Sequence, residues 1–223
     1  MRSFPPIVLI LLLALSAIPA EAAPTGAVSG QIPLPARPRG RIAVEKYTGT
    51  ISGKVDPPAA PRAGVWVEGA GTGAGSSPPR VMLNQKGYQF AQSLLVVPLH
   101  TTVEFPNDDP DFHNVFSLSR TKRFDAGRYK KSERPAPTAT FDKAGLVRLQ
   151  CEIHDHMKAV ILVVDSRHFT TTDPAGKFVL SGLPPGTYTL HAQFDEKAKW
   201  STTVTISGGK TVTANFAHNT SVP

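Results

Sequence analysis

The sequence contains a single cysteine, Cys151, among 223 residues. A lone thiol cannot form a disulfide within its own chain, so a disulfide-stapled scaffold is excluded. Aromatic residues make up only 8% of the chain, although a hydrophobic content of 40% is sufficient for packed cores. The 21 prolines and 18 glycines are spread along the chain, and no long amphipathic run has helical periodicity. These features predict an all-β protein of short strands joined by turns.

Apolar runs long enough to cross a bilayer are also missing. The apolar run at residues 7–18 is shorter than the roughly 20 residues that a transmembrane helix requires. Arg2 precedes it, and Ala20 and Ala22 follow in an A-x-A pattern, so residues 1–22 are predicted to be a secretory signal peptide. An uncleaved N-terminal anchor is the alternative. We expect a protein that is secreted or periplasmic after cleavage and not integral to the membrane.

Acidic residues are in the minority, with 17 against 24 lysines and arginines, which gives a net charge of +7. In an exported chain this charge indicates an acidic protein or an anionic surface as partner, and not nucleic acid. Part of the excess lies in a basic run that includes Arg128, Lys130 and Lys131. We expect these three side chains to help dock the partner. The alternative is that the run is only a solvated, solubilising surface.

Alternating sequence predicts several strands. In GLVRLQC, Val147 and Leu149 alternate with polar residues, so Cys151 is expected on the same inward face. The unbroken apolar run AVILVV (159–164) predicts a strand that is covered on both faces. TTVEF (101–105) alternates again, and further strands separated by Gly and Pro turns follow in the last third of the chain.

Four side chains with metal-binding chemistry lie close to these strands. Cys151, His154 and Met157 recur at every third residue where a strand gives way to a loop, so a curling loop can aim all three at one centre. Thiolate, imidazole and thioether together favour copper, and His113 in FPNDDPDFHNV is the best second histidine. Zinc is the rival metal, and His156 is a competing ligand. A catalytic Cys–His pair has no second motif to support it, so we do not expect an enzyme.

The C-x2-H-x2-M run, with HNV upstream, resembles the cupredoxins and in particular the short ligand loop of the amicyanins. The resemblance covers residues 80–165. It implies a single type 1 copper ion with four ligands, which are His113, Cys151, His154 and Met157. It also implies that Asn114 ties the two ligand loops together, and that His154 lies near the surface and passes the electron. Glu152, Asp155 and His156 depart from the usual loop composition.

The C-terminal third resembles the carboxypeptidase regulatory-like domain, a small transthyretin-like β-sandwich. Its usual first two strands match GTISGKV (49–55) and AGVWVEG (63–69), far upstream. We therefore predict a cupredoxin Greek-key β-barrel or sandwich inserted into this second sandwich. An N-terminal linker with two stray strands is the alternative. The expected segments are a signal peptide at 1–22, an N-terminal arm with first strands at 23–79, the copper domain at 80–165 and the rest of the sandwich at 166–223. The region 24–46 has no assigned role.

Two functions follow from this organisation. The first is that of a one-electron carrier with a protein redox partner. The second is that of a non-redox copper-binding module, or an adhesive or glycan-binding β-sandwich. A visible spectrum separates them, because a thiolate-bound cupric ion absorbs intensely whereas zinc does not.

Overall fold

The computed structural model describes residues 23–36, 51–68, 79–131, 133 and 135–217. Every regular element within these residues is a β-strand, which confirms the all-β prediction. Within the same residues, no helix has the length and apolar character needed to span a bilayer. The predicted signal peptide at 1–22 lies outside the described residues.

Eight consecutive strands form a first unit, which we call the central sandwich. They are β3 (Arg80–Met82), β4 (Leu94–Pro98), β5 (Thr101–Glu104), β6 (His113–Leu118), β7 (Arg123–Tyr129), β8 (Thr138–Phe141), β9 (Gly145–Gln150) and β10 (Lys158–Val164). One sheet has the order β4-β10-β9-β6-β7 and the other β3-β5-β8. The two sheets are open, not a closed barrel, and enclose one apolar core. Val103, Val147 and Leu149 are fully buried in that core, as the alternating pattern predicts.

The unbroken apolar strand β10 is covered on both faces. It pairs in parallel with β4 and antiparallel with β9, so it lies inside its sheet. Ile161 and Val163 point into the core of the central sandwich. Leu162 and Val164 point the other way, into a second apolar cluster that includes Trp66. Both sets of side chains are removed from water, which explains why the strand does not alternate with polar residues.

Seven strands form the second unit, which we call the split sandwich. They are β1 (Gly26–Gln31), β2 (Gly64–Glu68), β11 (Phe169–Thr171), β12 (Lys177–Leu183), β13 (Gly186–Gln193), β14 (Lys199–Ile206) and β15 (Thr211–Thr213). Its sheets have the orders β12-β1-β15 and β11-β2-β13-β14 and share one core. Strands that precede the central sandwich in the sequence therefore pair with strands that follow it. The domain boundaries at 79/80 and 165/166 stay a prediction.

The first strand of the split sandwich is not the one that the sequence indicated. Residues 51–55 form no strand, and Ile51 and Val55 pack against the core of the central sandwich instead. Residues 49 and 50 of that predicted strand lie outside the described residues. The strand position is taken by β1, whereas the prediction at 63–69 corresponds to β2. A Cβ at Gly30 would lie 1.8 Å from the carbonyl oxygen of Ala214, so this close strand contact needs glycine.

The two sandwiches pack against each other through the second apolar cluster. Leu94, Val96, Leu162 and Val164 come from the central sandwich, and Trp66 and Phe169 come from the split sandwich. Gly64 of β2 lies directly on this contact, because a Cβ there would be 2.4 Å from Cδ2 of Leu162. The units are thus joined by buried side chains as well as by the chain itself.

The fragment 166–223 should not fold by itself. Without β1, neither β12 nor β15 has a strand partner, and without β2 the strand β11 has none. Only the β13–β14 hairpin keeps its pairing, and an isolated hairpin is marginally stable at best. Urea unfolding followed by circular dichroism should show no cooperative transition for the fragment, with the full chain as control. A sharp transition in the fragment would contradict this strand pairing.

Candidate metal centre

Neighbouring strands bring His113 and Cys151 together. β6 and β9 are antiparallel neighbours, with Phe116 opposite Gln150. His113 is the first residue of β6, and Cys151 follows the last residue of β9. The beginning of one antiparallel strand lies beside the end of the other, so both side chains lie at the same edge of the sheet.

His154 joins them from the loop after β9. The amide of Met157 donates a hydrogen bond to the carbonyl of His154 (2.9 Å), which turns the loop tightly before β10. Nδ1 of His154 lies 3.2 Å from Nδ1 of His113 and 3.9 Å from Sγ of Cys151. The ligand atoms of the three residues all lie within 4.8 Å of one another, and all three side chains are buried.

This spacing fits a single metal ion. Nitrogen and sulfur ligands lie about 2.0–2.3 Å from a small divalent ion, which places the ligand atoms roughly 3.3–3.8 Å apart at trigonal or tetrahedral angles. The observed separations of 3.2 and 3.9 Å lie close to that range. Two imidazole nitrogens and a thiol sulfur thus face one point in the protein interior.

A carboxylate behind His113 decides which of its nitrogens faces that point. Nε2 of His113 lies 2.8 Å from Oδ2 of Asp109, and Asp109 also accepts hydrogen bonds from the amides of Gly87 and Tyr88. A carboxylate can only accept, so Nε2 carries the hydrogen and Nδ1 presents its lone pair to the cluster. A metal-ligating histidine commonly has such a partner. Sequence reasoning missed Asp109, although three aspartates precede His113 in NDDPDFH.

The electrostatics of the cluster favour a thiolate. Burial acts to raise the pKa of Cys151, but the interactions of its sulfur with the side chains of His113 and His154 outweigh it and lower that pKa to about 6. Burial likewise acts to lower the pKa of His113, and the hydrogen bond to Asp109 reverses that effect and raises it. Burial raises the pKa of Asp109, yet its bond with His113 and the two amides leave it lowered. The lowered pKa therefore favours the thiolate of Cys151 at neutral pH.

Asn114 links the residue after Cys151 to β7, and its role in a copper site stays a prediction. Its Oδ1 accepts a hydrogen bond from the amide of Glu152 (3.4 Å), directly after Cys151. Its Nδ2 donates to Oδ1 of Asp125 (2.7 Å) and to the carbonyl of Gly127 (3.2 Å). One side chain thus connects β6 to β7 and to the loop that carries the thiol.

Met157 and His156 have different surroundings. Met157 is fully buried in the same apolar core as Cys151, so the structure brings it to the region of the cluster. Its role as a fourth ligand stays a prediction. His156 lies outside the three-residue cluster, and its Nε2 lies 2.9 Å from the carbonyl oxygen of Tyr88.

His154 is fully buried, so the expectation that it lies near the surface is wrong. Tyr88 packs edge-on against the rings of both His154 and His113, with centroids 5.3 and 5.6 Å away. The Tyr88 hydroxyl donates a hydrogen bond to Asp111. Burial, followed by this bond, raises the pKa of Tyr88 to about 12, so the phenol stays neutral. The sequence analysis did not point to Tyr88 or Asp111.

A short segment closes this side of the site. Residues 51–56, which we call the strap, lie against Tyr88. The amide of Ser52 donates to the Tyr88 hydroxyl (3.0 Å) and to Asp111 (2.6 Å), and the Ser52 hydroxyl bonds the same carboxylate. At the other end, the amide of Asp56 donates to the carbonyl of Gly87. The strap and Tyr88 together separate His154 from solvent.

The three basic residues predicted for docking lie beside the cluster on β7 and just after it. Arg128 is opposite Asn114, and its Nε lies 2.6 Å from Oε1 of Glu152, with both side chains exposed. Nζ of Lys130 lies 4.3 Å above the ring of Phe112. Lys131 is exposed. Their docking role stays a prediction.

Residues 157–219 match the family model of the carboxypeptidase regulatory-like domain. The match begins within the loop before β10, so it includes one strand of the central sandwich as well as β11–β15 of the split sandwich. The predicted resemblance of the C-terminal third to this family is confirmed. No curated protein matches the chain.

Several solved structures are similar to part of the chain, and cupredoxins are among them. A copper-containing nitrite reductase from Thermus scotoductus is 27% identical over 40% of this chain and 23% of its own, with a TM-score of 0.36. Amicyanin from Paracoccus versutus is 20% identical over 45% of this chain and 97% of its own, with a TM-score of 0.35. A purple cupredoxin from Nitrosopumilus maritimus is 20% identical over 39% of this chain and 99% of its own, with a TM-score of 0.33. The chain spans about a quarter of the nitrite reductase.

The thiol of the metal-free protein should ionise near pH 6. An ordinary cysteine has a pKa of about 8.5, so the lowered folded value stabilises the fold most above that pH. This contribution is lost as the pH falls through about 6. The ultraviolet absorbance of the thiolate should titrate with a midpoint near 6 in the folded protein and near 8.5 in denaturant. Cys151→Ser is the blank. A folded midpoint above 8 would contradict the influence of the two histidines on the pKa of the thiol.

Proposed function

We propose that this protein is a mononuclear type 1 copper protein that carries one electron at a time. The observation that supports it most directly is the buried cluster of His113, Cys151 and His154, whose ligand atoms lie within 4.8 Å of one another. Met157 would be a fourth ligand. When bound, copper would supply a centre that alternates between the cuprous and cupric states.

The donor set favours copper over zinc. Two imidazoles and one thiolate suit either metal, but a thioether is a soft ligand that suits copper and contributes little to zinc. Met157 is fully buried in the core cluster that also contains Cys151. The lowered pKa of Cys151 makes the thiolate available at neutral pH. Asp109 holds His113 in the tautomer that presents Nδ1 to the ion.

Burial of the cluster favours electron transfer over catalysis on a substrate. His113 and His154 are fully buried, and Cys151 is 3% exposed. A substrate would have to displace packed side chains to reach the ion, whereas an electron passes through them without any bond being made or broken. A packed interior also holds the ligands in one arrangement for both oxidation states. We therefore propose an electron carrier and not an enzyme.

We further propose that the protein works outside the cytoplasm, after removal of residues 1–22. The proposal rests on the basic, apolar and small-residue order of that segment. The one thiol suits such a compartment, because Cys151 is buried and cannot pair with a second cysteine of its own chain. The positive net charge favours an acidic redox protein as partner.

The copper-loaded protein should have an intense visible absorption band that depends on Cys151. Cys151→Ser replaces the soft thiolate with a hard hydroxyl, so the band should disappear. His113→Ala and His154→Ala should weaken copper binding without necessarily abolishing it. Absorption and electron paramagnetic resonance spectra of each variant are the measurement, with zinc-loaded protein as the colourless control. A Cys151→Ser protein that remains intensely coloured would overturn the proposal.

Substitution of Met157 should move the reduction potential while keeping the colour. A thioether ligand would donate electron density to the cupric form, so Met157→Leu should raise the potential. Met157→Gln should lower it by offering a harder oxygen ligand. Spectroelectrochemical titration of the three proteins measures both shifts. If neither substitution moves the potential, Met157 serves only as packing.

A further inference from the structure

The structure closes the route that would lead outward through His154. That side chain is fully buried, with Tyr88 against its ring and the strap lying on Tyr88. Asp111 accepts hydrogen bonds from both Tyr88 and Ser52 and so ties the strap to the site. A protein that approached from this side would meet the strap first, not a histidine ring.

His113 has an exposed hydrophobic neighbour in the chain. Phe112 is bonded directly to His113 and is 41% exposed, one of four large hydrophobic side chains so exposed in the described residues. His113 is paired with Tyr129 across β6 and β7, which places Lys130 at the same end of the strand pair as Phe112. The ammonium group of Lys130 lies over the Phe112 ring, a contact that holds the apolar ring and the charge together.

The surface next to Cys151 belongs to the same region. Glu152 follows Cys151 directly and is paired with Arg128. Arg128 lies on β7, Lys130 directly follows the strand, and the buried Tyr129 lies between them in the chain. We call Phe112, Arg128 and Lys130 the Phe112 patch. One backbone step joins this patch to His113, and one salt bridge joins it to the residue after Cys151.

We propose that the redox partner docks on the Phe112 patch, and that it is a protein with an apolar contact point ringed by carboxylates. This inference rests on the proposed function as an electron carrier. Phe112 supplies the apolar centre, and Lys130, Arg128 and the adjacent Lys131 supply the positive rim. An apolar centre with a charged rim is the usual anatomy of a protein interface. The net charge of +7 attracts an acidic partner from a distance, and the patch orients it.

A plant-type ferredoxin, a small acidic iron–sulfur protein with a potential of roughly −400 mV, is a suitable probe. The experiment measures the rate at which reduced ferredoxin reduces the copper-loaded protein by stopped flow at about 10 mM salt, where charge steering reaches far. Lys130→Glu should slow the reaction about tenfold, within the range of steering effects. Phe112→Ala should slow it as well. Raising the salt to about 1 M should remove the difference for Lys130→Glu but not for Phe112→Ala.

The matched control is Lys54→Glu. Lys54 is an exposed lysine on the strap, so its reversal makes the same change in net charge on the His154 side. The rate should stay close to that of the unaltered protein. A Lys54→Glu rate as slow as that of Lys130→Glu, or slower, would overturn the proposal in favour of the His154 side or of net charge alone.

A second measurement does not depend on copper. Amide chemical shifts of the metal-free protein, recorded as ferredoxin is added at low salt, should change around residues 112 and 128–131. Changes centred on residues 52–56, or no changes at all, would overturn the docking surface. The visible spectrum of the unaltered copper-loaded protein is recorded first. If that spectrum lacks the thiolate band, the proposed function fails and this inference fails with it. If the band is present, the rates and shifts test the docking surface alone.

Discussion

The side-by-side position of β6 and β9 is the constraint on which the site depends. It brings a histidine at the start of one strand to a cysteine just past the end of the other. His154 joins them through the short turn that the Met157 amide closes on the His154 carbonyl. The packed core fixes this edge, because β9, which leads into Cys151, also supplies Val147 and Leu149 to the interior. The cluster is thus a consequence of strand pairing more than of loop conformation.

The surroundings of the cluster complete its chemistry. Asp109 behind His113 fixes the imidazole tautomer, and Asn114 links the two loops. Tyr88 covers both histidine rings with an uncharged phenol. The strap then ties Tyr88 down from a part of the chain that belongs to neither ligand strand. These layers keep solvent away from the imidazoles and the sulfur.

Much of the fold could be predicted from local pattern. Period-two alternation identified β9 and placed Cys151 inward, and the unbroken apolar run identified β10. The first strand of the split sandwich was misplaced because GAVSGQ and GTISGKV fit the same pattern equally well. What selects β1 is its pairing with β12 and β15, which lie about 150 and 180 residues further along the chain. Local sequence carries no signal for a partner at that distance.

The site, like the fold, has features that local sequence predicts and features that depend on distant parts of the chain. His113, Cys151 and His154 could be predicted, because strand ends and ligand chemistry are visible in the sequence. The burial of His154 could not, since the strap that helps to cover it lies about 100 residues upstream. Asp109 had a local signal, four residues before His113, but that signal has meaning only once the loop is known to fold back on the imidazole.

We propose that one sulfur and two imidazole nitrogens of this chain bind a single copper ion. X-ray absorption at the copper edge of the loaded protein measures that coordination directly. We expect one short copper–sulfur distance and two nitrogen ligands with the multiple-scattering pattern of imidazole. A copper ion surrounded only by nitrogen and oxygen, with no short sulfur contact, would contradict it.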